Sequence, residues 1–444
     1  MIDYKVFREF GEAITHLGEM AQPVVMEDAE RVKRAKEVML SKIDRQMAVD
    51  LESCVKCGYC AEACHYSVQT QDPRYVPTRK LDLLRKVYRR EQAPLKPLYR
   101  MFTPDITVAD LTEWQELVYD ACTECGRCSM VCPMGINIAR GVNVMREAIA
   151  AAGMIPNELL AVEQEQLGRG TIFGVGTDQL VRAIEGLRKA GMHVPLDERK
   201  ADVMVLTTVI DILLFRDSLE ATVKIMNHVG VSWTFRSQGF ESANFGLLSG
   251  HQELQKVASR KIIDEAIAIG AKAVIIPECG HAYPALRWEG AAMLGKALPF
   301  EVLAMSEFLG REVKTGRLKL KKVADTGART YHDACKLGRH GGVIDEPRAV
   351  LDALGVERRE TESSGEMNWC CGGGAGAFLL NRAAPLRQKA FEIKVEQIGA
   401  TGAEAVVMSC GSCRLNFMAG AQQSQWPTRI ESLVELVGDN LQGV

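Results

Sequence analysis

The chain has 444 residues, 47% of them hydrophobic and 25% charged, with a net charge of −3. That length allows two or three globular domains with sizeable cores, and the near-neutral balance excludes a general nucleic-acid or anionic-membrane binder. No run approaches the ~18 apolar residues of a membrane span. The opening "MIDYKVFREFGEAITHLGEM" has early acids and no apolar core of signal-peptide length. A cytoplasmic protein is expected, with any membrane association made through partner subunits.

Residues 1–50 read as a helical segment, with "EDAERVKRAKEVMLSKIDRQM" alternating charged and apolar faces. Residues 51–150 hold two cysteine clusters joined by a long helical insert that contains proline. In that insert, "RKLDLLRKVYRR" (Arg79 to Arg90) has aliphatic residues at helical spacing. It reads as a solvated amphipathic helix, with a docking face for an acidic partner as the weaker alternative. Residues 151–200 form a helical linker, and "LGRGTIFGVG" within it lacks the preceding strand and Lys-Ser/Thr pair of a phosphate loop.

From Ala201 the texture changes. "ADVMVLTT", "GVSWTF", "AKAVIIPE", "ARTYHD" and "AEAVVMSC" read as strands. "SLEATVKIMNHV", "LQKVASRKIIDEAIAIG" and "LRQKAFEIKVEQIGA" read as helices between them. Such alternation predicts parallel α/β units. "IDEAIAIGAKAVIIPECGHAY" parallels "KVEQIGATGAEAVVMSCGSCR", so the C-terminal half reads as two related modules, 201–327 and 328–444. The fold class expected is α+α/β: a helical domain followed by two repeated modules with parallel sheets.

Fourteen cysteines are many for a reducing compartment, where clusters of them mark metal or redox sites. Cys54, Cys57, Cys60 and Cys64 form C-x2-C-x2-C-x3-C, and Cys122, Cys125, Cys128 and Cys132 repeat it, with Pro133 completing the run. This is the spacing that holds cubane 4Fe-4S clusters, in which the fourth cysteine of each run serves the other cluster. The pattern assigns Cys54, Cys57, Cys60 and Cys132 to one cubane and Cys122, Cys125, Cys128 and Cys64 to the other. Structural zinc sites pair C-x2-C with a distant second pair and suit this spacing poorly. His65 stands where proline would follow the first run and reads as a packing or surface residue. The helical insert points to an α-helical ferredoxin variant. Two cubanes relay single electrons, so bond-making chemistry must lie elsewhere.

Five more cysteines follow: Cys335 in "YHDACKLGRHGG", Cys370 and Cys371 in "NWCCGGGAGAF", Cys410 and Cys413 in "MSCGSC". Loops after parallel strands converge on one sheet edge. Adjacent thiolates point in different directions and suit two metals of one cluster better than one zinc. Five thiolates are too many for one cubane or one zinc. The glycines of "CCGGGAGA" allow close backbone approach to such a group.

The pattern C-x34-CCG-x37-C-x2-C, with "HDAC" and "LGR" at its first cysteine, resembles the CCG domain of heterodisulfide reductase catalytic subunits. With two ferredoxin runs ahead of it, the chain resembles the D subunit of membrane-bound heterodisulfide reductase. It is also similar to the K-type subunits of sulfite-reduction-associated membrane complexes. The resemblance implies one noncubane 4Fe-4S cluster on Cys335, Cys370, Cys371, Cys410 and Cys413, where disulfides or trisulfides are made or cleaved. It implies other subunits of a redox complex as partners, membrane cytochromes or a soluble flavoprotein, and a small thiol or disulfide carrier.

The first module departs from the pattern: "ANFGLL" has Asn244 and Phe245 where the pair should be, and Thr207 and Thr208 fall near the first cysteine. Only Cys279 survives, with Glu278 and His281, as a vestige or an unusual metal site. His332 and Asp333 adjoin Cys335 and read either as proton relays or as residues that fix the loop. His332 joins the five cysteines as a catalytic candidate. The competing readings are an iron–sulfur relay for a flavin-dependent glycerol-3-phosphate, glycolate or lactate dehydrogenase, and a purely structural iron–sulfur scaffold.

Overall fold

The computed structural model describes residues 4–443; Met1 to Asp3 and Val444, the outer ends of the first and last predicted segments, lie outside the described residues. The protein is helix-rich with two parallel sheets, and among the described residues no strand precedes Val203. The helices Asp28–Lys42 and Ile138–Ala151 pack together and support the cysteine runs between them. Their apolar stripes, such as Val142, Met145 and Ile149, supply the core. The predicted amphipathic helix is there, Asp82–Glu91. Its neighbourhood is not a basic face: Arg79 pairs with Glu113, Arg85 with Asp82, Lys86 with Asp110 and Arg89 with Glu52.

The first sheet runs β2-β1-β3-β4, all parallel, from β1 (Val203–Val205), β2 (Trp233–Thr234), β3 (Ala273–Ile276) and β4 (Glu301–Ala304). The second runs β5-β6-β7, also parallel, from β5 (Arg329–His332), β6 (Ala405–Met408) and β7 (Arg429–Ser432). Arg358 makes a parallel bridge to Arg329 on the outer side of β5, where the first sheet has β2. The two sheets therefore share one topology, as the internal repeat requires. β1, β3 and β6 are apolar runs, as parallel strands covered on both faces favour, whereas β5 is buried although its residues Arg329 to His332 are mostly polar.

The edge strands β4 and β7 are absent from the sequence reading. Each is followed at once by a helix, Met305–Lys314 and Leu433–Asp439. These helices join the two modules. Met305–Lys314 packs against Asp345–Ala353, and Leu433–Asp439 packs against Arg216–Val229. A Cβ on Gly438 would come within 2.6 Å of Ala221 Cβ, so glycine there sets the closeness of the second pair.

One buried side chain ties the helical region to both modules. Arg146 is fully buried in Ile138–Ala151 and donates to Val118 O (2.9 Å), Cys122 O (2.8 Å), Leu248 O (2.6 Å) and Ala375 O (2.9 Å). Arg146→Met keeps the bulk but leaves these acceptors without a donor. Each buried acceptor left unmade costs about 1–3 kcal/mol, so a loss of about 3–5 kcal/mol is expected, read as a lowered urea midpoint. An unchanged midpoint would contradict this role.

Candidate iron–sulfur and redox site

The two N-terminal runs fold alike. Lys56 and Gly58 in the first, Glu124 and Gly126 in the second, all have positive φ. Each loop curls its amides inward before a short helix, Tyr59–Glu62 or Arg127–Met130. Concave amide loops of this kind favour a negatively charged group. Glu124 N already donates to Cys122 Sγ at 3.4 Å.

Cys54, Cys57, Cys60 and Cys132 line one cavity; Cys64, Cys122, Cys125 and Cys128 line another. Each cavity thus gathers three cysteines of one run and the last of the other. The first set has Cys57 exposed; the second has no exposed cysteine and meets the second C-terminal module where Cys125 approaches Cys370. Thr123 Oγ1 is 3.3 Å from Cys370 Sγ, and Lys336 Nζ donates to Glu124 O at 2.9 Å. Arg339 donates to Cys125 O at 2.7 Å, and His340 Nε2 lies 3.0 Å from the same oxygen. The stretch after Cys335 is therefore the clamp on the second run. Arg127 completes the joint by stacking on Trp369 with 3.6 Å to the ring centroid.

The five C-terminal cysteines are all buried and converge at the ends of β5 and β6. Cys335 follows β5, and Cys410 caps the helix Gly411–Ser424 that follows β6. Cys370 and Cys371 lie in the loop before Ala384–Thr401, where Gly372 N and Gly373 N donate to their sulfurs at 3.4 Å each. Cys371 Sγ, Cys413 Sγ and a ring nitrogen of His332 lie within 4.8 Å of one another, as do Cys125, Cys370 and His65.

His332 Nε2 and His65 Nε2 are buried without a protein partner. A Cβ on Gly280 would come within 3.1 Å of Cys410 Sγ. Clustered free thiols, orphaned ring nitrogens beside them and glycines that keep the space open fit iron–sulfur groups.

The surroundings separate His332 from Asp333. Asp333 accepts from Arg348 at 2.8 and 2.9 Å and from Gly365 N at 2.7 Å, which anchors the loop. His332 faces the sulfurs, and burial holds its pKa below the usual imidazole range, so the ring is neutral. Its Nδ1 meets Asn368 Nδ2 at 3.3 Å, and Asn368 Oδ1 accepts from Lys394 Nζ at 2.9 Å. Lys394 is buried, which lowers its pKa to about 8. Lys394 and Arg146 escaped the sequence reading, although each was visible as a cation on an apolar helix face. Lys394 shares its face with Ala390, Phe391 and Ile398, and Arg146 with Val142, Met145 and Ile149.

In the first module, the missing cysteine pair is replaced by an N-cap. Asn244 Oδ1 accepts from Leu247 N at 3.2 Å, while Phe245 packs in the core. Thr208 likewise caps Val209–Leu213 in a reciprocal pair with Asp211. Glu278 turns its carboxylate to Ser432 Oγ (2.8 Å) and His281 Nε2 accepts from Ala375 N (2.7 Å), so the two do not converge with Cys279 on a metal.

The profile of the 4Fe-4S dicluster domain matches residues 50–136, and that of the cysteine-rich CCG domain matches residues 329–418. The chain is thus a CCG-domain iron–sulfur protein with a ferredoxin-like region ahead of its redox module. It resembles the D subunit of the dihydromethanophenazine:CoB–CoM heterodisulfide reductase of Methanosarcina mazei, with 28% identity across 88% of this chain and 94% of that one. It also resembles the Hdr-like menaquinol oxidoreductase iron–sulfur subunit 2 of Archaeoglobus fulgidus, with 24% identity across 90% and 81%. The EtfAB:quinone oxidoreductase of Syntrophomonas wolfei is 26% identical across 88% of this chain and 58% of its own length. Over most of its length the chain is therefore heterodisulfide-reductase-like in sequence, with a 4Fe-4S dicluster domain ahead of a CCG domain. No described helix is long and apolar enough to cross a membrane.

Proposed function

We propose that the chain passes single electrons between a partner protein and a disulfide or trisulfide. Two cubane clusters would sit on the cysteine sets that line the two N-terminal cavities, and one noncubane 4Fe-4S cluster on the five C-terminal cysteines. When bound, the noncubane group supplies one-electron steps at a substrate sulfur without release of a free thiyl radical. The chain's residues order the path: exposed Cys57 marks the entry, the enclosed set around Cys122 the middle, and the loop of Cys370 the end. The observation that carries this reading is the joint at Cys125 and Cys370, which brings relay and redox module together. His332 and Lys394 keep the buried end neutral or cationic as negative charge arrives. Direction depends on the potentials of the partner and the sulfur couple.

The division into an N-terminal helical segment (1–50), ferredoxin domain (51–150), linker (151–200), degenerate module (201–327) and cluster-bearing module (328–444) belongs to the same proposal. It is supported by the strand-free first part and the two like sheets. Partners proposed are membrane cytochromes or a soluble flavoprotein, and a small sulfur carrier, which places the chain on the cytoplasmic side in sulfur metabolism.

The relative named for an electron-transferring flavoprotein favours one second reading, a relay that serves a flavin dehydrogenase. Adding a thiol to the oxidised protein separates the two. A paramagnetic signal that forms only with thiol is expected for sulfur chemistry; a simple relay would show none.

A further inference from the structure

A largely apolar cavity lies between the two modules, closed on one side by Phe10 and Phe173. It reaches Gly373 and Gly411, the backbone that flanks Cys371 and Cys410. Phe245, in the place of the missing cysteine pair, packs edge-on against Phe173 in the lining, which also holds the carboxylate-bearing Glu241. Among the described residues, no lysine or arginine lines this cavity.

Glu241 is buried and has no cationic partner; its two oxygens accept from Val209 N (2.7 Å) and Ala243 N (2.6 Å). Glu278 also lines the cavity, but its carboxylate is engaged by Ser432 and Val434. Resting on the disulfide reading above, we propose that this cavity receives an uncharged disulfide with apolar flanks and that Glu241 delivers one of the two protons its reduction requires. Anionic disulfides are disfavoured, because an apolar wall with a carboxylate and no cation pays the full cost of burying their charge.

The balance is RS–SR′ + 2 e⁻ + 2 H⁺ → RSH + R′SH. The S–S bond breaks, and the electrons come singly from a donor protein through the N-terminal iron–sulfur groups. The O–H bond of Glu241 breaks as an S–H bond forms on one leaving sulfur. The second proton comes from water, and the Glu241 carboxylate is reprotonated from solvent.

Burial raises the Glu241 pKa to about 7, with Asp211 on Val209–Leu213 adding repulsion. The hydrogen bonds from Ala243 N and Val209 N favour the charged form and offset part of this rise, but no cation faces the carboxyl. Burial keeps Cys279 a thiol, with its pKa pushed up to about 12, and His281 neutral, at about 3. Arg414 acts on Asp211 rather than on Glu241. A donor must be protonated, so reduction is fast below pH ~7 and falls as pH rises through it.

The experiment compares dipropyl disulfide with dithiodipropionate, a chain of like length ending in carboxylates, on the holoprotein with a reduced one-electron donor. The neutral disulfide is expected to have a kcat/KM at least about 10-fold higher, a difference of ~1.4 kcal/mol. Glu241→Gln is expected to lower kcat about 100-fold at pH 6 and to abolish the fall above pH 7, with iron content and KM nearly unchanged. Infrared difference spectra should show a protonated carboxyl that titrates near pH 7 in the wild type and is missing from Glu241→Gln. Ile210→Lys, which places a cation in the half-buried wall, should shift the preference toward dithiodipropionate. An equal or reversed charge preference, an unaltered pH profile in Glu241→Gln, or no such carboxyl would overturn the proposal alone. A wild type that accepts electrons yet reduces neither disulfide would overturn the disulfide reading and this proposal with it.

Discussion

Cys371→Ser is expected to abolish disulfide reduction and any thiol-dependent paramagnetic signal while both cubane signals survive. Cys371 lies between Cys370 and Cys413, faces His332, and takes no part in either N-terminal cavity. Its replacement removes a thiolate from one site only. Counting four irons per cluster, the content should fall from about twelve per chain to about eight. Serine adds little strain, because it keeps the volume and hydrogen-bonding capacity of the thiol nearly intact. Quantitative EPR of the reduced variant beside iron analysis reads this outcome. Loss of the cubane signals in the same variant would sink the division between relay and redox module.

The second large effect is expected at the middle of the path. Cys128→Ser should abolish turnover driven by a protein electron donor and leave the thiol-dependent signal of the C-terminal site in place. Cys128 lines the enclosed cavity with Cys64, Cys122 and Cys125, between the exposed Cys57 and the buried Cys370 loop. It does not touch the five-cysteine site, unlike Cys125, which makes it the cleaner cut. Stopped-flow reduction by a protein donor, followed by EPR of the oxidised variant with thiol, separates transport from chemistry. Undiminished donor-driven turnover would mean that electrons bypass this set.

The clustering of the cysteines was legible because spacing is local: four thiols within eleven residues must share one loop before any fold is known. The internal repeat was legible for a similar reason, since a strand that ends in a cysteine loop recurs as a block. The edge strands were not. "EVLA" of β4 has only three buried apolar residues behind an exposed glutamate, and "RIES" of β7 alternates charges; each pairs on one side only, and both are too short to stand out. The amphipathic helix was legible from its spacing, but not the acids from distant segments, such as Glu52 and Glu113, that match the cations of its stretch. The cavity at Glu241 had no sequence signature at all. Its walls come from Phe10, Phe173, Phe245, Phe378 and Leu415, which only the packing of three regions brings together.

Position alone left Asp333 as either a proton relay or a residue that fixes the loop; both of its oxygens are held by Arg348, so it braces the loop. His332, the last residue of β5, meets the sulfurs instead.

The central claim is that the five C-terminal cysteines form a site where substrate sulfur is bound and oxidised or reduced. Low-temperature EPR on the anaerobic wild-type protein, with iron counted, tests it directly before and after oxidation with and without thiol. About twelve irons per chain are expected, with a paramagnetic signal that appears only when oxidation is done with thiol. About eight irons, with spectra indifferent to thiol, would contradict it and make the chain a two-cluster relay.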